Sequence, residues 1–269
     1  MYIIMIDISF LENLRREAYV EAAENYLSSS NVIGIFGEDL PLDILYAYDL
    51  LPVPCEGTDS AIFKFGDMEN VCDVIKSSVI YLKTDKCPIL FSCSMYLIEN
   101  TCTHFFNKLK ENTDKKVLLY KNKSELEKAI QEVYGKKFDN LKYLKAKEIL
   151  DYIESVLKKI DEYSDLSAEE AFLLRYYTPY ILDLERRKEY FDDICKTIKF
   201  KSEKNTVKKI FALCPRGSYK TILKEVKKEA DINPKKNRVI RLCRGWNNAD
   251  YGYKYCPYKY NMNVMYQED

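Results

Sequence analysis

The chain has 269 residues, of which 47% are hydrophobic and 31% are charged, a composition typical of a soluble globular protein with one large or two small domains. Its 42 basic residues equal its 42 acidic residues, so no net positive field is present to hold nucleic acid non-specifically. The longest apolar runs span only a few residues, far short of the ~20 that cross a bilayer.

The amino-terminal residues argue against a secretory signal. They contain Asp7 and Glu12 but no early Lys or Arg, and they show no cleavage site built from small residues. We therefore expect a cytoplasmic protein that has no membrane segment and no nucleic-acid partner. A reducing compartment of this kind keeps cysteines as free thiols.

Short apolar runs alternate with helical periodicity in the first part of the chain. Residues 31–37 predict a strand, and Pro41 opens a predicted helix whose apolar spacing continues until Pro52. Three further short runs suit an extended segment and buried parallel strands; they are residues 52–55, 88–91 and 116–120. This alternation predicts a layered α/β domain with a parallel, flavodoxin-like sheet.

The remaining periodicity divides the chain into three parts. A capping box at residues 124–127 and Gly135 bound the helix that closes a first α/β domain, residues 1–136. Helical periodicity dominates residues 137–204, which we interpret as a linking segment. A shortened second α/β domain with an aromatic tail occupies residues 205–269. Its predicted elements are a strand at 208–213, a helix at 217–229 and a strand at 238–242.

The histidine and cysteine content indicates that any metal site in this chain would use cysteine ligands. His104 is the only histidine, so a multi-histidine metal site within one chain is excluded. Nine cysteines are present and five of them lie between residues 55 and 102, which favours ligation over a disulfide scaffold. The alternative is that single cysteines are small buried hydrophobes.

Three of these cysteines are evenly but widely spaced. Cys72, Cys87 and Cys102 are separated by 14 residues each, too far for a knuckle of the C-x-x-C kind. Loops at the carboxyl ends of neighbouring parallel strands converge on one crevice, so thiolates from different loops can meet there. Three cysteines on a four-iron cluster leave one iron open to a substrate.

Four cysteine contexts in fixed order carry a resemblance to a known family. They are residues 50–58 (LLPVPCEGT), 70–78 (NVCDVIKSS), 84–88 (TDKCP) and 99–102 (ENTC). The chain resembles the 2-hydroxyacyl-CoA dehydratase and benzoyl-CoA reductase superfamily, with the double-cubane-cluster proteins as the nearest branch. The resemblance covers residues 30 to about 120 best and is weaker beyond residue 165, where the second domain is shorter than the family's.

The resemblance implies an iron–sulfur protein, with a [4Fe–4S] or double-cubane cluster. Such a protein is a homodimer or heterodimer that receives low-potential electrons from an ATP-hydrolysing activator and reduces or dehydrates a small-molecule substrate. Cys72, Cys87 and Cys102 match family cysteines and are the implied ligands, with Cys55 the next candidate. The family signature beside the first ligand, matched here by Lys76, Ser77 and Ser78, implies residues that contact the cofactor.

Several alternatives stay open at this point. Thr103 and His104 depart from the family pattern, and the short second domain lacks an expected cysteine; both features favour a cluster-free accessory module. A zinc site built from the same thiolates is a further alternative. The remaining cysteines and His104 have no assigned role: Cys93 is a further ligand or a core residue, Cys195 is interpreted as a core residue on a helix, and Cys214, Cys243 and Cys256 are left open.

Overall fold

A parallel sheet of four short strands forms the centre of the protein. The computed structural model describes residues 7–37, 39–55, 60–68, 71, 73–100, 103–166, 168–203, 211–212 and 239–240. Within them the strand order is β2-β1-β3-β4 and all neighbours are parallel. The strands are β1 (Val32–Phe36), β2 (Leu51–Pro54), β3 (Met95–Ile98) and β4 (Lys116–Leu119). The predicted α/β parallel-sheet class is confirmed.

Helices connect and cover these strands. They are α1 (Ile8–Ser29), α2 (Leu42–Ala47), α3 (Asp73–Thr84), α4 (Pro88–Ser92), α5 (Thr103–Lys110), α6 (Lys123–Tyr134), α7 (Asn140–Tyr163), α8 (Ala168–Tyr177) and α9 (Leu184–Thr197), with 3-10 turns at Ser60–Phe65 and Thr178–Tyr180. None of these helices is both long enough and apolar enough to span a bilayer; the search covers only the part of the chain that the structure describes.

The sheet is buried on both faces because apolar residues occupy both phases of the strand alternation. Side chains of one phase, Ile33, Ile35, Met95 and Leu97, pack against α2 and α6. Those of the other phase pack against α1, α3, α4 and α5; they include Val32, Phe36, Val53, Tyr96, Ile98 and Val117. We call this second side of the sheet the α4 face. Its core includes Cys55, Cys87 and Cys93.

The helical segment that follows the sheet does not stand apart from it. The helix α7 begins at the N-cap Asp139, whose carboxylate accepts the backbone N–H of Leu141 at 2.8 Å, and it packs against α2 and α9. In turn, α8 packs against α1. The buried apolar residues of α7, α8 and α9 belong to the same core as the α4 face. The predicted linking segment therefore covers the first α/β unit.

Three predictions of local structure were wrong. Residues 88–91, predicted as a strand, form α4, and the neighbouring strand is β3. Pro88 occupies the first turn of α4, where its fixed φ and missing N–H are tolerated, and a four-residue apolar run does not separate strand from helix. The predicted helix after Pro41 ends at Ala47. The cap of α6 is Asn122, whose side chain accepts from Glu125 N–H, although Gly135 ends that helix as predicted.

Of the predicted second domain, the structure describes two short strands. Phe211–Ala212 (β5) pairs in parallel with Val239–Ile240 (β6), and both strands fall inside the predicted strand segments. The predicted helix at 217–229 and the aromatic tail lie outside the described residues. The boundary near residue 205 stays a prediction.

Candidate thiol site

The structure describes two of the four predicted metal ligands. Cys55 and Cys87 lie in described segments, whereas Cys72 and Cys102 lie outside them, as do Cys214, Cys243 and Cys256. Joint ligation by Cys72, Cys87 and Cys102 therefore stays a prediction. The described cysteines nevertheless form a local arrangement on the α4 face.

Cys55 and Cys93 form a close pair of thiols. Cys55 follows β2 directly and donates its backbone N–H to Ile35 at 2.9 Å, while Cys93 ends α4. Their Sγ atoms are 3.9 Å apart. The Cys93 thiol also donates to the Ile89 carbonyl at 3.0 Å, and the Cys55 thiol donates to the Val53 carbonyl at 3.3 Å. Two residues 38 positions apart in the chain are thus brought into sulfur contact.

Gly34, in the middle of β1, makes room for this pair. A Cβ atom at this position would lie 2.8 Å from Cys55 Sγ, 2.9 Å from Cys93 Sγ and 2.7 Å from Tyr96 Cδ1. Native Cβ atoms essentially never approach heavy atoms this closely. The two sulfurs and the Tyr96 ring therefore occupy the volume that any other residue's side chain would fill.

Tyr96 closes the site from β3. Its ring is fully buried, and its hydroxyl donates to the Leu90 carbonyl near the end of α4. Burial raises the pKa of Tyr96, and the neighbouring thiols of Cys93, Cys55 and Cys87 raise it further. The phenol therefore stays protonated and continues to donate. Lys115 adds a second donor to the same carbonyl at 3.1 Å.

Cys87 lies at the other end of α4, near the partly buried Arg15. Burial raises the pKa of the Cys87 thiol, while the backbone N–H groups of Leu90 and Ile89 and the Arg15 guanidinium favour the thiolate. Arg15 comes from α1, and its Cζ atom lies 5.8 Å from the ring centroids of both Tyr19 and Tyr180. Its Nε atom is buried without a hydrogen-bond partner among the described residues.

Arg15 has no carboxylate partner within the described part of the chain. The tyrosines around it raise its pKa further, Tyr180 most, so the guanidinium remains charged. The Arg15 charge favours the thiolate form of nearby Cys87, whereas burial of that thiol favours the neutral form and has the larger effect. The surroundings of Cys87 are thus electropositive although its pKa is raised.

The two edges of the sheet carry different features. α4 leads into the beginning of β3, and Lys115, which precedes β4, donates to the Phe91 carbonyl at 2.7 Å. The C-terminal end of α4 therefore lies towards the amino-terminal edge of the strands. The carboxyl edge carries the topological switch point between β1 and β3. There Gly37, at φ +122°, leaves space for Glu99, whose Cβ would lie 2.3 Å from a Gly37 Cβ.

The three predicted cofactor-contacting residues lie on α3 in different surroundings. The Lys76 ammonium is paired with Asp67 and lies 4.9 Å from the Phe63 ring centroid, so its charge is already compensated. Ser77 and Ser78 are both buried. The Ser78 hydroxyl has no hydrogen-bond partner among the described residues, which makes it the group of the three that is available to a ligand.

The other sulfur and imidazole groups lie elsewhere. Cys195 is half-buried on α9, and burial raises the pKa of its thiol. His104 lies on α5, where burial lowers its pKa and Lys108 lowers it further, so the ring is neutral near pH 7. Within the described segments, no group of three or more His, Cys, Asp or Glu side chains is arranged to hold a metal ion.

Arg15, Gly34 and Tyr96 were not identified from the sequence. A lone arginine in a helix and one tyrosine among 23 carry no pattern of their own. Gly34 alone gave a signal, because a glycine inside a strand indicates close approach of another group. The pairing of Cys93 with Cys55 had no sequence signal, because the strand after Cys93 was not predicted.

A cleft of about 410 Å³ lies apart from the thiols, between α1, α2, α7 and α9. Its lining contains no cysteine. Its lysines are already engaged: Lys142 pairs with Asp49, and Lys145 pairs with Glu185 at 2.6 Å. The cleft therefore offers a ligand less unsatisfied charge than the surroundings of Arg15.

The fold and the site define an α/β parallel-sheet protein with a group of thiols on one buried face of the sheet. Neither the known protein-family models nor the curated proteins give a match to this chain. These two comparisons therefore assign no chemistry to the thiols.

We predict that Cys87 reacts with iodoacetamide only at more alkaline pH than an ordinary cysteine, whose pKa is about 8.5, because burial disfavours its thiolate. Replacing Arg15 with glutamine removes a charge that favours the thiolate, so the pH midpoint of Cys87 alkylation moves higher still. Peptide mass spectrometry across a pH series measures both values. Arg16→Gln, at the exposed neighbouring position, is the control; an unchanged or lower midpoint in Arg15→Gln contradicts the prediction.

Proposed function

We propose that this chain is an iron–sulfur protein that reduces or dehydrates a small-molecule substrate with low-potential electrons. The observation that carries the proposal is the gathering of Cys55, Cys87 and Cys93 on the α4 face, where Cys93 belongs to the buried core and the other two pack against that core. Thiolates are the ligands of such clusters. Cys72, Cys87 and Cys102 would hold the cluster, with Cys55 as the next candidate.

The charge distribution supports an anionic group on this face. A cluster bound by thiolates carries negative charge, and hydrogen bonds to its sulfurs tune its potential. Arg15 supplies a charged guanidinium that no described carboxylate compensates, and Ser78 supplies a buried hydroxyl without a partner among the described residues. Both groups would lower the cost of placing an anionic cofactor in the core.

The surrounding residues of the chain provide a dry, rigid environment. Cys93 and Tyr96 are fully buried, and Tyr96 stays protonated because its pKa is raised. Exclusion of water protects reactive reduced species from side reactions. When bound, the cluster would supply one-electron reduction at an open iron.

The resemblance also supports a partner. An ATP-hydrolysing activator protein would deliver the electrons, and a second copy or a different subunit would complete the dimer. Symmetric dimers are the commonest assemblies of soluble proteins.

A thiolate zinc site is the second candidate, and one distance favours it. A tetrahedral ion with Zn–S bonds of about 2.3 Å places two of its sulfurs about 3.8 Å apart. The Sγ atoms of Cys55 and Cys93 are 3.9 Å apart. These two residues would then supply two of the four ligands of the ion.

Anaerobic reconstitution with iron and sulfide tests the proposal. We expect brown protein with about four or more irons per chain, and loss of the iron in Cys72→Ser and Cys87→Ser. Cys195→Ser is the matched control, since Cys195 lies on α9 and is not among the proposed ligands.

Two results contradict the iron–sulfur proposal. Colourless protein without iron after strictly anaerobic reconstitution excludes a cluster in this chain. Zinc in place of iron, lost in Cys55→Ser and Cys93→Ser but kept in Cys87→Ser, assigns the thiols to the second candidate.

A further inference from the structure

We propose that Cys55 and Cys93 form a redox-active dithiol that closes to an intramolecular disulfide. This pairing goes beyond the proposed cluster, because Cys93 is not among its ligands. It is carried by the position of the two sulfurs, 3.9 Å apart on the α4 face, and by the clearance that Gly34 gives to both of them.

The geometry requires only a small movement. A disulfide has an S–S length of about 2.05 Å, so the two sulfurs must approach by about 1.9 Å. The Cys55 thiol donates a hydrogen bond to the Val53 carbonyl, and the Cys93 thiol donates one to the Ile89 carbonyl. Because Gly34 has no side chain, no side-chain atom of that residue lies between the two sulfurs and β1.

The two thiols differ in access, which sets the order of the reaction. Cys55 is partly exposed, whereas Cys93 has 0% of its surface accessible. An external oxidant therefore reaches Cys55 first. Cys93 is protected from the oxidant and lies within reach of Cys55, which is the arrangement of a resolving cysteine.

The chemistry balances with a small-molecule disulfide such as oxidised glutathione as the two-electron oxidant. The Cys55 thiolate attacks one glutathione sulfur, forms a mixed disulfide and releases one glutathione thiolate. That first glutathione thiolate takes up the proton that Cys55 lost on ionising. The buried Cys93 thiol then gives its proton to the second glutathione sulfur while its own sulfur attacks Cys55 Sγ, and the second glutathione leaves as a thiol. Two protein thiols are oxidised to one disulfide, and one glutathione disulfide is reduced to two thiols, each of which takes up a proton.

Neighbouring cysteines do not compete equally for Cys55. Cys87 lies at the opposite end of α4 from Cys93, and Cys195 lies on α9. Among the described cysteines, Cys93 is the one whose sulfur contacts Cys55. Oxidation is therefore expected to select one pair.

The test treats the full chain, after incubation with a chelator, with oxidised glutathione. We expect a loss of about 2 Da per chain, corresponding to one new disulfide and two hydrogens removed. Tryptic peptides separate residues 17–64, which contain Cys55, from residues 87–108, which contain Cys93. Fragmentation of the cross-linked pair then identifies the bonded cysteine in the second peptide.

Two variants sharpen the result. In Cys93→Ala, glutathione is expected to remain on Cys55 as a stable mixed disulfide, because the resolving sulfur is gone. In Cys195→Ser, the wild-type cross-link is expected unchanged. The iron and zinc content of each sample is measured before chelation and tests the proposed function separately. A sample without iron that still forms the Cys55–Cys93 cross-link contradicts the cluster and supports the dithiol.

Three results overturn the dithiol. They are persistent glutathione on Cys55 of the wild-type chain, a cross-link from Cys55 to any cysteine other than Cys93, and a Cys55 that does not react. Peptide mapping of the oxidised wild-type chain is enough to detect each of these results, so the test does not depend on the folding of any variant.

Discussion

Replacing Gly34 with alanine is expected to destabilise the protein by about 1–3 kcal/mol, the usual cost of overpacking a core. The new methyl group would lie under 3.0 Å from two sulfurs and one ring carbon, and the Tyr96 ring has no free volume to enter because it is fully buried. The free energy of unfolding, measured by urea denaturation, reports the loss.

A double-mutant cycle identifies the cause of that loss. Cys93→Ala removes the sulfur that lies 2.9 Å from the added Cβ, so Gly34→Ala is expected to cost less in that background than in the wild type. Gly66→Ala is the control, since its Cβ would meet Ile80 Cγ1 at 3.3 Å, a contact that a small shift relieves. Equal costs of Gly34→Ala in both backgrounds are the result that rejects sulfur crowding.

Replacing Arg187 with methionine is expected to cost about 2–4 kcal/mol, because buried acceptors that lose their donors each cost about 1–3 kcal/mol. Arg187 is 4% exposed, and its Nε donates to the Ile181 carbonyl at 2.8 Å and its Nη2 to the Pro179 carbonyl at 3.2 Å. Methionine keeps most of the side-chain volume but donates to neither. Chemical denaturation followed by circular dichroism measures the effect.

The adjacent residue provides the comparison. Arg186 has a side chain that is 60% exposed and lies 3.7 Å from Glu17, an interaction worth at most about 0.5–1 kcal/mol at the surface. Arg186→Met is therefore expected to change stability little. If the two substitutions cost the same, the role assigned to the buried guanidinium is refuted.

The sequence allowed the layered fold to be predicted where periodicity and length agreed. Residues 31–37 and 116–120 contain β1 and β4, and the helical segment after residue 140 was recognised from its spacing. The strand β3 was missed because the four-residue apolar run before it was assigned as the strand, and tertiary packing decides such short runs. No element was assigned to α1, although Leu11, Leu14, Ala18 and Ala22 follow its buried side.

The candidate site was only partly accessible to sequence reasoning. Spacing and the family resemblance singled out Cys55 and Cys87, but the contact between Cys55 and Cys93 depends on the register of β1 with β2 and β3. A sequence does not specify that register until the strands themselves are identified. Arg15 acts through its tertiary position beside Cys87, which local patterns do not encode.

The short helix α4 keeps Cys87 and Cys93 too far apart to form a disulfide with each other. Cys87 and Cys93 flank its five residues, so a rise of 1.5 Å per residue separates their Cα atoms by about 9 Å along the axis. Cysteines whose Cα atoms are more than about 7 Å apart cannot be bridged unless the backbone moves. While α4 stays wound, Cys87 cannot form a disulfide with Cys93, so the proposed oxidation of Cys93 by pairing with Cys55 does not consume the Cys87 thiol.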